Sequence, residues 1–256
     1  MESYIIILLC IASFLAGFID AVAGGGGLIQ TPTALILLPQ QPVSSLMGSL
    51  KIPGFTGTSV ASLQYLKKVD MNWKLLLTMS FFSCLAAFAG SYVMTIVSND
   101  FMKPLLFLVL TGVAIYTFFK KDFGNHKPKK ISYKKSVALG ILISVLIGFY
   151  DGFIGPGTGS FLILAFISIL GFDFLHASAN AKLVNLASNV GSLVLFISKG
   201  KILWIMAIPM AFCNGIGGWM GAKLAIKKGN SFIRVFFLVV VIGTLIRLSY
   251  DIFMKA

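Results

Sequence analysis

Residues 17–29 read Gly-Phe-Ile-Asp-Ala-Val-Ala-Gly-Gly-Gly-Gly-Leu-Ile, and residues 148–161 read Gly-Phe-Tyr-Asp-Gly-Phe-Ile-Gly-Pro-Gly-Thr-Gly-Ser-Phe. The two stretches align when the chain is shifted so that Asp20 falls on Asp151, a shift called here the repeat offset. In both, an apolar run is interrupted by a cluster of glycines. Glycine releases backbone N–H and C=O groups from a helix, and in lipid those groups must find other partners. This pair of glycine breaks therefore determines which folds the chain can adopt.

The repeat offset also pairs residues along the rest of the chain. Lys51 falls on Lys182 and Trp73 on Trp204, and further pairs are Lys68 with Lys199, Gly90 with Gly221 and Gly112 with Gly243. The chain has only three tryptophans and eight acidic residues, so coincident Trp, Asp and Lys pairs indicate a duplication. We predict two homologous halves, residues 1–122 and 132–256, joined by a basic connection at 123–131.

The composition is that of an integral membrane protein. Hydrophobic residues make up 57%, charged residues 11%, and the mean hydropathy is +0.94, whereas a soluble domain carries about 25% charged residues. These values exclude a secreted enzyme, a zinc-finger protein and a disordered tail. We predict an all-α, polytopic fold with about eight transmembrane helices, in the segments 4–38, 43–66, 73–97, 101–119, 133–171, 174–198, 202–226 and 231–253.

The first segment of each half is the unusual one. As a straight helix at about 1.5 Å per residue, residues 4–38 would measure about 52 Å, too long for one span and short for two. The segment is either one tilted, broken span or a full span followed by a short re-entrant piece. The choice decides whether the halves are parallel or inverted, and the sequence leaves it open.

The net charge of +13 is concentrated beside the apolar runs. One connection holds a single acid, Asp122, and seven lysines: Lys120, Lys121, Lys127, Lys129, Lys130, Lys134 and Lys135. The positive-inside bias predicts that this connection is cytoplasmic. We expect no nucleic-acid partner, because these lysines form no helical face.

The N-terminus and the cysteines allow further expectations. Residues 4–23 are expected to be a retained helix, since no basic region precedes them; cleavage after Ala21-Val22-Ala23 is the alternative. Cys10, Cys84 and Cys213 lack metal-ligand spacing. We expect no metal and no cofactor.

The glycine breaks are the first candidate for a substrate site. Unwound backbone at matching positions of two repeats points to the binding site of a secondary transporter. A helix that restarts after the break presents free N–H groups and the positive end of its dipole, which suits an anion. We predict substrate binding by Gly24, Gly25, Gly26, Gly27, Gly155, Gly157, Thr158 and Gly159. A tight turn between helices, with no ligand, is the alternative.

Charged residues inside apolar segments are the second candidate. A lysine near the bilayer centre costs about 2.5–3.5 kcal/mol on insertion scales, so Lys51 and Lys182 should face a polar cavity or a partner. They would attract an anion; snorkelling, or a structural pair with Asp20 and Asp151, is the alternative. Burial disfavours the charged form of Asp20 and Asp151, which could therefore take up protons and couple transport to them. Their alternative role is to hold the breaks in shape.

Polar residues flank both lysines. Ser49 precedes Lys51, and Asn180 and Asn185 flank Lys182 on one segment. We predict that all three line the substrate cavity, with hydrogen bonds between helices as the alternative. No H-E-x-x-H or G-x-S-x-G motif occurs, so we expect no enzymatic activity.

These paired motifs resemble the sulfite exporter TauE/SafE family, also called the toluene sulfonate uptake permease family. The resemblance rests on residues 17–29 with Pro32, on 148–161, on 177–189 and on Trp73 and Trp204. It implies a multi-pass permease of the plasma membrane with about eight spans and a duplicated four-segment unit, which transports sulfite, sulfonates or related organic anions. Family members often carry Thr-Asn-Lys where this chain has Ser49-Leu50-Lys51, so an amide role at Leu50 is in doubt.

Together these observations predict a secondary transporter in the cell (plasma or inner) membrane. Its expected partners are the lipid bilayer and a small anion, a sulfur oxyanion or an organosulfonate. An anion channel and a membrane scaffold that moves no solute are the alternatives. The sequence leaves homo-oligomer formation open.

Overall fold

The computed structural model describes residues 3–102, 104–105, 108 and 132–228. Its helices are labelled here α1 (Ser3–Ala23), α2 (Gly27–Leu37), α3 (Val43–Leu66), α4 (Trp73–Ile96), α5 (Tyr133–Phe153), α6 (Thr158–Ser168), α7 (Phe174–Ser198) and α8 (Trp204–Lys228). Moving the bounds of α1–α4 by the repeat offset reproduces those of α5–α8 to within one residue. The helices thus recur at the offset found in the sequence. The division into two homologous domains stays a prediction.

Local sequence explains where several helices begin and end. The Asn72 side chain caps α4 by accepting a hydrogen bond from Leu75 N at 3.3 Å. Asp173 caps α7, accepting from the N–H groups of Leu175 and His176 at 2.9 and 3.0 Å. The breaks after α1 and α5 contain Gly24 at φ +79° and Gly155 at φ +92°, where a side chain would be strained.

The chain turns back on itself at the first break. Gly26 lies against Ala16 and Asp20 of α1, and α2 packs along α1. The far end of α2 reaches the core cluster that also contains Leu9, near the start of α1. The first half therefore begins with a full-length helix followed by a short antiparallel one, the second of the two arrangements that the sequence left open.

Helices α3 and α7 show how the halves are oriented. Gly48 of α3 contacts Phe196 of α7, and Gly54, further along α3, contacts Asn189, earlier in α7. The two helices therefore run antiparallel. Because they are equivalent under the predicted repeat, this contact makes the halves inverted relative to each other.

The last described helix of each half packs on the first helix of the other half. Helix α4 packs on α5, where Ser83 contacts Gly148. Helix α8 packs on α1 in the same way, since Asn214, the equivalent of Ser83, contacts Gly17, the equivalent of Gly148. A Cβ at Gly90 would lie 2.1 Å from the Phe149 carbonyl oxygen, and one at Gly221 2.4 Å from that of Phe18. Small residues at these positions let the helices approach closely.

Five of the described helices, α1, α4, α5, α7 and α8, are long and apolar enough to cross a membrane. Their outward faces carry large exposed apolar side chains at helical spacing, such as Ile205, Ile208, Phe212 and Ile216 on α8. The predicted all-α, polytopic membrane fold is confirmed. The number of spans is not, since segment 231–253, most of 101–119 and the connection 123–131 lie outside the described residues.

Candidate functional site

A cavity of about 80 Å³ lies between the halves and reaches both glycine breaks. A water molecule needs roughly 10–15 Å³ of such space, so the cavity holds several waters or one small solute. Its walls come from both halves: Ala16, Asp20, Gly24, Gly26, Gly27, Gln30, Thr31, Met47, Leu50, Lys51, Gly54, Thr58, Asp151, Gly155, Pro156, Gly157, Thr158, Gly159, Asn185, Asn189 and Asn214.

The two breaks touch each other at one side of this cavity. Ser160 N donates to the Gly24 carbonyl oxygen at 2.9 Å, and Ser160 Oγ donates to that of Ala23 at 3.1 Å. A Cβ at Gly24 would lie 2.3 Å from the carbonyl carbon of Gly159. The first turn of α6 is therefore held against the end of α1.

Both short helices direct their N-terminal ends toward the cavity. Among the described residues, no backbone hydrogen bond uses four N–H groups that line it, those of Gly26, Gly27, Gly157 and Gly159. With the positive ends of two helix dipoles, these groups form a surface that attracts an anion.

Two ion pairs cross between the halves. Lys51 Nζ lies 2.8 Å from Asp151 Oδ2 and donates to the Asp151 carbonyl oxygen at 2.8 Å. Lys182 Nζ lies 2.9 Å from Asp20 Oδ2 and also donates to the Asp20 carbonyl oxygen. The pairs are equivalent under the repeat offset, and each joins a lysine of one half to an aspartate of the other. The centre thus contains one aspartate for each lysine.

The equivalent pairs differ in their access to the cavity. Lys51 lines the cavity, and its side chain is 8% exposed. The side chain of Lys182 is fully buried, and the residue does not line the cavity. Its partner Asp20 is 20% exposed and does line it. Thus a cation faces the cavity from one pair and a carboxylate from both.

Most of the residues predicted to bind substrate or protons meet at this cavity. The lining includes Gly24, Gly26, Gly27, Lys51, Gly155, Gly157, Thr158, Gly159 and Asn185, together with Asp20 and Asp151. Gly25 and Lys182 do not line it.

Ser49 and Asn180 lie apart from the cavity as well. Ser49 Oγ donates to Ser45 O at 2.6 Å and accepts from Leu203 N at 2.7 Å. The Asn180 amide donates to His176 O at 2.8 Å. Both side chains thus form hydrogen bonds with backbone groups.

The sequence did not predict several of the residues that line the cavity. Thr31, Thr58, Gln30 and Asn214 are buried and line the cavity. Thr58 directly follows Gly57, and Asn214 directly precedes the glycines at 215, 217 and 218. The sequence signal that the four residues share is a polar side chain within a predicted span.

No metal centre is evident in the part of the chain that the structure describes. In residues 3–102, 104–105, 108 and 132–228 no group of three or more His, Cys, Asp or Glu side chains could hold a metal ion. The polar side chains that line the cavity carry amides, hydroxyls, carboxylates and the Lys51 ammonium group.

Comparison with known proteins finds relatives that are named as probable membrane transporters. The chain is 36% identical to a probable membrane transporter protein, ORF9, of Sinorhizobium sp over 248 residues, 97% of this chain and 94% of that protein. It is 36% identical to a probable membrane transporter protein of Haemophilus influenzae, covering 96% and 94% of the two chains. The probable membrane transporter protein YfcA of Escherichia coli is 32% identical, with 93% and 87% covered. No solved structure matches this chain.

The sulfite exporter TauE/SafE family matches residues 9–248, which include both glycine breaks, both ion pairs and the lining of the cavity. The helices that build the cavity thus fall within the matched region. The protein is a multi-pass membrane transporter that belongs to the sulfite exporter TauE/SafE family.

Proposed function

We propose that the protein is a permease of the cell membrane that moves a small anion, a sulfur oxyanion or an organosulfonate, together with a proton and without a chemical step. The observation that carries the proposal is the convergence of Lys51 and both α2 and α6 N-termini on one cavity. Each of these groups stabilises negative charge. The family name is what suggests sulfur oxyanions among small anions.

Charge balance at the ion pairs supports coupling to a proton. In the ionised state the two lysines balance the two aspartates, so an anion that enters alone adds an uncompensated charge to a site with little water. A buried, unpaired charge is costly. If Asp151 takes up a proton as the anion enters, neutrality is kept and Lys51 is freed from its carboxylate. The anion then occupies the place of that carboxylate at Lys51 Nζ.

A scaffold that moves no solute is the second candidate, since both lysines are paired within the protein. A scaffold, however, would have its glycine breaks packed without a cavity. The cavity that reaches both breaks favours the permease. The inverted halves favour a carrier with alternating access over a channel, because inverted repeats are a common architecture of secondary transporters.

The test is flux in liposomes that contain the purified protein. We expect saturable uptake of sulfite, sulfate, thiosulfate or ethanesulfonate, with acetate as the carboxylate comparison, and faster uptake when an inward proton gradient is imposed. Linear flux without saturation would support the channel, and no flux of any anion would support the scaffold.

The cation is tested by Lys51→Ala against Lys67→Ala, an exposed lysine at the end of α3. We expect the apparent KM for the transported anion to rise at least about tenfold in Lys51→Ala, since a hydrogen bond to a charged group contributes about 1.5–3 kcal/mol. It should stay unchanged in Lys67→Ala. An equal KM in both variants would remove Lys51 from the binding site.

A further inference from the structure

Gln30 is a buried amide whose donor has no partner among the residues that the structure describes. The residue is 5% exposed and lines the cavity, and its Nε2 atom is enclosed without a hydrogen bond. Leaving a buried donor unsatisfied costs free energy, so a native structure that retains one needs a reason for it. Of the described residues with such an unpartnered side-chain atom, Gln30 alone lines the cavity.

Asn214 holds the Gln30 amide in one orientation. Asn214 Nδ2 donates to Ser13 O at 2.9 Å and lies 3.4 Å from Gln30 Oε1. Turning the Gln30 amide over would set two NH2 donors against each other, which hydrogen bonding disfavours. Gln30 Oε1 therefore faces Asn214, and Nε2 faces away from it.

Asn214 is itself fixed by close packing. A Cβ at Gly57 would lie 1.9 Å from Asn214 Oδ1, and one at Gly17 would lie 2.7 Å from it. The amide of Asn214 thus sits between two backbones that only glycine allows so near. The donor at Gln30 is consequently preorganised by α1, α3 and α8 together.

This amide pair exists at only one end of the pseudosymmetric centre. The repeat offset maps Gln30 onto Phe161 and Asn214, in reverse, onto Ser83. Phe161 packs edge-to-face against Tyr150, with ring centroids 5.3 Å apart, and neither Phe161 nor Ser83 lines the cavity. The wall of the cavity therefore contains this amide pair at one end and none at the equivalent position of the other.

We infer that Gln30 is a specificity-determining residue, whose Nε2 donates a hydrogen bond to an oxygen of the bound anion while Lys51 balances its charge. The inference rests on the proposed function, because it takes the cavity to be the anion site. It adds that the solute is an oxyanion with at least two acceptor oxygens. A monatomic anion such as chloride has no second oxygen, so it can bind at Lys51 without contacting Gln30.

The experiment compares Gln30→Met, which keeps the length of the side chain without its donor, with Gln30→Glu, which adds negative charge. Gln40→Met, on an exposed loop, is the matched control. Sulfite and ethanesulfonate uptake are measured in liposomes, and chloride is tested as a competitor. The melting temperature of each variant in detergent shows whether it is folded.

We expect Gln30→Met to raise the apparent KM for sulfite roughly 10- to 100-fold with the maximal rate nearly unchanged. Inhibition by chloride should be the same as in the wild type. Gln30→Glu should raise the KM further, and Gln40→Met should have no effect. A defect in folding alone would lower the maximal rate and leave the KM unchanged.

The outcomes separate this inference from the proposed function. If the wild-type protein transports sulfite or ethanesulfonate and Gln30→Met keeps the wild-type KM, Nε2 binds water only and the inference fails by itself. An equal rise in the chloride inhibition constant would also overturn it, since Gln30 would then shape the cavity without recognising oxygen. If the wild-type protein transports neither oxyanion, the proposed function fails and the inference with it.

Discussion

The pair Lys51–Asp151 and the pair Lys182–Asp20 are equivalent in sequence and unlike in their surroundings. Both lysines donate to a carboxylate and to the carbonyl of the same aspartate. Only Lys51 faces the cavity, whereas Lys182 is fully sealed. Residues that match at the repeat offset thus have two different environments at the centre of one fold. Exchange of the two environments between the halves would move the opening of the cavity from one side to the other, as alternating access requires.

A second difference separates the two aspartates. Asp151 Oδ2 accepts a hydrogen bond from Ser188 Oγ at 2.7 Å. The residue equivalent to Ser188 in the first half is Gly57, which has no hydroxyl. Asp151 would therefore keep one donor if Lys51 left it, whereas Lys182 is the one side-chain donor to the Asp20 carboxylate among the described residues. Under the proposed mechanism, the Lys51 pair is the one that opens.

The largest expected effect concerns the sealed pair. Lys182→Ala should lower the free energy of unfolding by about 3–5 kcal/mol, because it removes one partner of a buried ion pair. Lys51→Ala should cost less, since the cavity lets water reach the vacated site. Unfolding by denaturant in detergent measures both. Equal losses would contradict the difference between the pairs.

The next effect compares the glycines that begin the two breaks. Gly24→Ala places a Cβ against the backbone of Gly159 as well as at an unfavourable φ. We expect a loss of about 2–4 kcal/mol, the sum of overpacking and left-handed strain. Gly155→Ala meets its nearest atom at 3.2 Å, so only the strain of about 1–2 kcal/mol is expected. Melting temperatures of the two variants in detergent should show the order; the reverse order would argue against the contact between the breaks.

A smaller effect in free energy is expected when Asp151 and Asp20 are compared for their part in coupling uptake to protons. Asp151→Asn should abolish the stimulation of uptake by a proton gradient and lower the apparent KM about tenfold, because Lys51 is then unpaired when the anion arrives. Asp20→Asn should retain the stimulation, since its lysine does not reach the cavity. The measurement is uptake with and without an imposed gradient. A gradient response in Asp151→Asn would show that another group carries the proton.

The smallest effect concerns the hydroxyl that the first half lacks. Ser188→Ala should cost about 0.5–1.5 kcal/mol, the net contribution of one hydrogen bond. Gradient-driven uptake should remain, because Ser188 supports Asp151 without binding the proton. Ser192→Ala, one turn further along α7 and also buried, is the control. A loss of coupling in Ser188→Ala alone would place this hydroxyl in the proton path.

The sequence predicted the described helices and the breaks because apolar runs and glycine clusters are visible in it and recur at the repeat offset. Apolar length, glycine clusters and one repeated offset are local or simply repeated features. The segment predicted at 202–226 lies at Trp204–Lys228, a shift of two residues, and the bounds of α1–α4 recur in α5–α8 to within one residue. The crossed pairing of lysine with aspartate was foreseen only as an alternative. Nothing in a linear offset says which half supplies the partner.

The remaining site residues depend on three-dimensional packing. Ser49 bonds to backbone groups at Ser45 and Leu203, which a position next to Lys51 does not reveal. Gln30 acquires its role from Asn214, a residue far away in the chain that is held between two glycines. The sequence pattern of a single amide in an apolar helix is the same whether the amide lines a cavity or forms a hydrogen bond with a neighbouring helix.

The packing of α8 on α1 has a consequence for biogenesis. Ser13 of α1 donates to Met210 of α8, and six of the described helices lie between them in the chain. Helix α1 can therefore reach this packing partner only after α8 has been synthesised and inserted. Until that moment the face of α1 that carries Gly17 lacks this packing partner, so assembly in the bilayer is completed late, by a segment made long after α1.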